Sequence, residues 1–86
     1  MKNILFKSEE IKNRKDTSDM LRQIADKVEK GNILLKQGSE EISIVLPEKM
    51  EVEIKTTKKD KKGLVKRQLE IELEWREGER GEVSIA

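Results

Sequence analysis

Glu70, Glu72 and Glu74 recur at every second position of a run in which Leu69, Ile71, Leu73 and Trp75 take the alternate places. On an extended chain that spacing puts the three carboxylates on one face, with neighbours about 7 Å apart. Joined there by Glu51 and Glu53 of an earlier alternating run, they have the chemistry to hold a hard cation or to work as acid and base. A solvated sheet face balanced by lysines has the same pattern, because alternation alone sends charge to the wet side. The wet face is the simpler reading, since the groups that usually accompany acidic catalysis are missing. The chain has no Cys and no His, which removes the thiolate nucleophile, the commonest general base and the commonest metal ligand. It also has no Gly-rich phosphate loop, no nucleophile set beside a base and no zinc-ligand spacing. No enzyme is expected, and no catalytic, cofactor-binding or metal-binding residue.

A second cluster is basic. Between Lys55 and Arg67 stand seven cations, Lys55, Lys58, Lys59, Lys61, Lys62, Lys66 and Arg67, against Asp60 alone, whereas Gln68–Ala86 holds six carboxylates and two arginines. A basic finger of this kind has the charge to track a phosphate backbone. Proteins that stack bases interleave aromatics with such cations, and the only aromatics here, Phe6 and Trp75, fall on expected core faces. A solvated tip whose lysines block edge pairing accounts for the same residues. Trp75, closing its run in phase with Ile71 and Leu73, either caps a core or offers a half-exposed ring to a partner. The candidate partner-binding set is therefore Lys58, Lys59, Lys61, Lys62, Lys66, Arg67 and Trp75. Its partner is expected to be a protein, with nucleic acid as the alternative.

The elements that must position these groups follow from periodicity. Asn3 to Ile11 runs without Gly or Pro and reads as a first strand, with Ile4, Phe6 and Ser8 inward. Thr17, Met20, Leu21, Ile24, Ala25 and Val28 then make one helical stripe. Asn13 as N-cap and Gly31 as left-handed terminator bound that helix to Arg14–Lys30, roughly 25 Å long. Beyond Gly31 the period becomes 2. Strands are expected at Asn32–Gln37, at Glu41–Leu46, from Met50 through Lys55, and at Val65–Trp75, with Pro47 ending the second and a charged turn over Lys58–Gly63.

Eighty-six residues allow one core. Although 43% of residues are charged, the formal net charge is only +1, and 23 residues are Leu, Ile, Val or Phe. That balance favours a folded, highly soluble chain over a disordered one. The expected architecture is α+β in the order β-α-β-β-β-β, one helix packed on a twisted, mostly antiparallel five-stranded sheet. Its core would set Met20, Leu21, Ile24 and Val28 against Ile44, Val52, Ile54, Leu69, Ile71 and Leu73. Residues 1–77 are expected to form the single domain and 78–86 a flexible tail. No window approaches the roughly 18 apolar residues of a membrane span, and no apolar run follows the N-terminal lysine, so the cytoplasm is the expected compartment and a membrane is not an expected partner. The chain is expected as a monomer or weak homodimer, with Val65–Trp75 as the edge on offer.

The landmarks also carry a likeness. Leu-Phe-Lys-Ser-Glu-Glu from Leu5, Ile-Ala-Asp-Lys-Val-Glu-Lys-Gly ending at Gly31, Ile-Val-Leu-Pro ending at Pro47 and the closing Leu-Glu-Ile-Glu-Leu-Glu-Trp resemble, in that order, the amphi-Trp domain family of small bacterial and archaeal domains. The likeness spans Leu5 to Trp75. It implies a shared fold in which Leu69, Ile71, Leu73 and Trp75 are structural, and it brings no catalytic residue or cofactor with it.

Overall fold

The computed structural model describes residues 2–77; the expected tail, 78–86, lies outside them. The chain divides into two compact units, Met1–Glu48 and Lys49–Ala86. The first holds α1 (Arg14–Lys30), β1 (Asn32–Gln37) and β2 (Glu40–Val45), and the second holds β3 (Glu51–Lys61) and β4 (Leu64–Glu74). The class is α+β with antiparallel strands, as expected. Four strands in two two-stranded sheets, β1–β2 and β3–β4, replace the single five-stranded sheet.

In the first unit the caps set the helix. Asn13 stays extended, its Oδ1 accepts from the Asp16 amide at 2.7 Å, and its carbonyl accepts from the Thr17 amide at 3.0 Å and the Thr17 hydroxyl at 2.8 Å. The first of these satisfies an amide that a helix start leaves without an intrahelical acceptor, and the second is the first bond of the helix itself. At the far end Gly31 adopts φ +92°, and its amide donates to the carbonyls of Lys27 at 3.0 Å and Val28 at 3.1 Å. Only glycine takes that conformation without strain. Asp16 in the first turn and Lys27 and Lys30 in the last agree with the helix dipole.

The helix packs on β1. Ile33 pairs with Ile44 and Leu35 with Ile42 across the β1–β2 ladder, and all four are half-buried, as are Thr17, Ile24 and Val28 of the helix. Leu46, just past β2, is the one buried hydrophobic among the described residues at 7% exposure. Its amide donates to the Gly31 carbonyl at 2.8 Å, and a residue that precedes proline, as Leu46 does, is disfavoured in the helical region. Met20 and Leu21, expected in the stripe, remain exposed.

The first strand is a correction. Residues 2–13 form no strand, and Ile4, Leu5, Ser8 and Ile11 are exposed while Phe6 is half-buried. Ile4 to Lys7 instead line an open depression of about 560 Å³ with Ser39, Glu40 and Glu41. Propensity without a neighbouring ladder is not enough to make a strand, and the polar residues here pair locally, Lys7 with Glu9 at 3.1 Å and Lys12 with Glu10 at 3.0 Å.

The second unit is a long hairpin. The register runs from Glu51 opposite Glu74 to Lys61 opposite Leu64, closed by Lys62 and Gly63 at φ +50° and +79°. Two successive positive φ values define the tight turn whose twist matches the paired strands. The turn is therefore two residues, not the six of Lys58–Gly63, and Lys58, Lys59 and Lys61 belong to the ladder. Val52, Ile54, Leu69 and Ile71, expected in the core, are exposed, with Ile54 at 71% and Ile71 at 57%, while Leu73 and Trp75 are half-buried. A two-stranded ladder satisfies its backbone along the shared edge but has no second layer of its own to cover a face.

Candidate interaction hairpin

Alternation sorts the hairpin into two faces. One carries Val52, Ile54 and Thr56 opposite Leu73, Ile71 and Leu69, and continues toward the turn with Lys58 opposite Arg67 and Asp60 opposite Val65. The other carries Glu51 opposite Glu74, Glu53 opposite Glu72, Lys55 opposite Glu70, Thr57 opposite Gln68, Lys59 opposite Lys66 and Lys61 opposite Leu64. The five carboxylates do share one face, as the sequence spacing indicates. Among the described residues no group of three or more acidic side chains is placed to hold a metal ion.

Register adds what spacing alone left open: charge is sorted along the hairpin as well as across it. Near the chain ends, Glu51–Glu74 and Glu53–Glu72 set like negative charges directly opposite one another. Near the turn, Lys58–Arg67 and Lys59–Lys66 do the same with positive charge. Side chains so placed have Cβ atoms about 5 Å apart, and like charges there are destabilising. Between the two zones Lys55 meets Glu70 at 3.2 Å. The Glu70 carboxylate, as hydrogen-bond acceptor and then as charge, holds the Lys55 ammonium above its ordinary pKa, and Glu53 adds to the effect. Beside this pair, Gln68 Nε2 donates to Glu70 Oε1 at 3.1 Å and Thr56 Oγ1 donates to the Gln68 carbonyl at 3.0 Å.

The candidate cations do not converge on one face. Lys59, Lys61 and Lys66 lie on the carboxylate face, Lys58 and Arg67 on the other, and Lys62 in the turn; all six are exposed. Lys61, Lys62 and Lys66 border an open depression of about 520 Å³ with Leu64 and Val65. Trp75 follows the last residue of β4, extending the alternation of Ile71 and Leu73 by one position. The opposed like charges were readable in advance from one signal, the Lys-Gly dipeptide at 62–63: a two-residue turn there sets every cross-strand pair, whereas a six-residue turn removes Lys58 and Lys59 from the ladder.

No match is found among curated proteins or among solved structures. The Amphi-Trp domain family model matches residues 1–85. With a helix followed by antiparallel strands, the last alternating apolar and acidic residues up to Trp75, this chain belongs to the Amphi-Trp domain family.

Proposed function

We propose that the chain is a non-catalytic module that works by contact, with the β3–β4 hairpin as its contact surface and the cytoplasm as its compartment. The observation that carries this reading is the exposure of Val52, Ile54, Leu69 and Ile71 together on one face of a hairpin whose other face is charged. Contiguous exposed apolar surface rimmed by polar residues is the usual mark of an interaction site. No described helix is long and apolar enough to cross a membrane.

The test is co-purification of the full chain, tagged, from its own cells beside the Ile54→Ser/Ile71→Ser variant, with circular dichroism to check that the variant keeps its structure. A protein recovered in stoichiometric amount with the wild type and lost with the variant is the expected result. Identical recovery with both would overturn the reading.

A second reading has its own observation. Lys58–Arg67 and Lys59–Lys66 are opposed like charges on the two faces, and a polyanion bound at either face would relieve the pair there. Under this reading the hairpin binds nucleic acid weakly and without sequence preference, and affinity falls steeply with salt. Fluorescence anisotropy with a labelled single-stranded oligonucleotide tests it. Micromolar binding at about 150 mM salt, lost when Lys58, Lys59, Lys61 and Lys62 are changed to Gln, would promote this reading over the first.

A further inference from the structure

Opposed like charges of opposite sign at the two ends of one hairpin suggest a single remedy for both. β3 pairs only with β4 among the described residues, so its outer edge presents backbone groups with no ladder partner. Such edges are usually protected by charge, because a row of like charges repels a second copy. The charges of β3 do not form such a row: Glu51 and Glu53 stand at one end, Lys59 and Lys61 at the other, and Thr56 at the middle of eleven residues. We infer that a second copy of this chain pairs antiparallel along the outer edge of β3, about a two-fold axis at Thr56. The inference rests on the contact-module reading and names its partner.

In that register Glu51 faces the partner's Lys61, Glu53 faces the partner's Lys59, Lys55 faces the partner's Thr57, and symmetry repeats each pair. On the other face Ile54 lies opposite the partner's Lys58, whose aliphatic stem can cover it. No like charges face each other across the new ladder. Sliding the register by two residues, so that the axis falls at Lys55, sets that ammonium opposite its own copy. Moving it to Thr57 sets Lys55 against Lys59. Parallel pairing in register brings every charge against itself. The outer edge of β4 is a poorer match under the equivalent two-fold at Leu69: Glu72 meets Lys66, but Glu74 meets Leu64 and Glu70 meets Gln68. Charge therefore selects the edge, the direction and the register together, and the product is a four-stranded sheet.

The test is charge exchange in the full chain. Sedimentation of the wild type over about 0.01 to 1 mM should show reversible dimers, weakened about tenfold when salt rises from about 0.05 to 0.5 M. The Glu51→Lys/Glu53→Lys variant and the Lys59→Glu/Lys61→Glu variant should each be monomeric. An equimolar mixture of the two should form dimers again, since every pair across the axis is then of opposite sign. A merely structural role for these residues would not give that recovery. Should either variant lose its circular dichroism, Thr56→Cys gives a second readout: this chain has no cysteine of its own, and oxidation should link two copies at the axis, whereas Thr57→Cys should not. A monomeric wild type over the whole range would overturn the inference. Dimers that persist in both charge variants, or variants that fail to recombine, would overturn it equally. A monomer that still loses its captured partner on the Ile54→Ser/Ile71→Ser change would sink the dimer alone; loss of both results would sink the contact module as well.

Discussion

The two units reach order by different means. In Met1–Glu48 the strands are only six residues long, yet the helix packs on β1, the caps satisfy both helix ends, and the segment closes on a buried Leu46. In the hairpin the strands are eleven residues long and in full register, yet every residue of β3 is exposed. Hydrogen bonding along a ladder and withdrawal from water are thus separate properties, and the longer ladder has less of the second. Since burial of apolar area supplies most of the favourable free energy of folding while a backbone hydrogen bond nets little, the short-stranded unit should hold the larger energetic consequences.

The strongest way to break this contrast is Leu46→Ala, which should cost about 2 to 3 kcal/mol in urea unfolding because the side chain is almost wholly removed from water. Asn13→Ala should cost about 1 kcal/mol, with the first turn of α1 fraying in amide exchange, since the Asp16 amide then loses its side-chain acceptor. In the hairpin, Ile71→Ala should cost less than about 1 kcal/mol at 57% exposure. If it costs as much as Leu46→Ala, the contrast between the units is wrong. Glu72→Lys converts an opposed like pair with Glu53 into an attractive one and should stabilise the hairpin by a few tenths of a kcal/mol.

The smallest effect concerns Lys55. Its folded-state pKa is raised above 10.5, so the contribution of its pairing with Glu70 is fully present below that value and is lost as pH rises through the folded pKa. The pair is exposed and therefore weak. From neutral pH upward, stability profiles of the wild type and Lys55→Met should part in slope only as pH nears and passes 10.5; a difference in slope at neutrality would refute this assignment.

Much of the fold was legible because its signals are local. Asn13, the apolar stripe and Gly31 bound α1 at Arg14 and Lys30, where it is found, and alternation located β1 at its observed limits and β2 and β4 within one residue. What failed depends on what lies beside a segment. Asn3 to Ile11 has the composition of a strand and no ladder, and Val52, Ile54, Leu69 and Ile71 have the phase of a core and remain exposed. Period 2 tells which residues share a face; it does not tell what covers that face. On the helix Asp19 meets two cations, Lys15 at 3.0 Å and Arg22 at 3.1 Å, since i, i+3 and i, i+4 neighbours are within similar reach. At the candidate site the residue types are legible from alternation, whereas their opposition rests on the turn alone: six turn residues in place of the two at Lys62 and Gly63 would displace every cross-strand neighbour.

The hydrogen bond from the Leu46 amide to the Gly31 carbonyl makes one proton a witness to two events. Gly31 holds its carbonyl in place only while the last helical turn is wound, and Leu46 reaches it only while β2 lies along β1. Unwinding of the helix end and peeling of β2 should each release that proton to solvent. Its exchange rate, followed as a single resonance, therefore reports whether the helix end and the strand pair open separately or together. Exchange of the Leu46 amide at the same rate as the amides of β1 and of the final turn of α1 would mark all three as one cooperative unit.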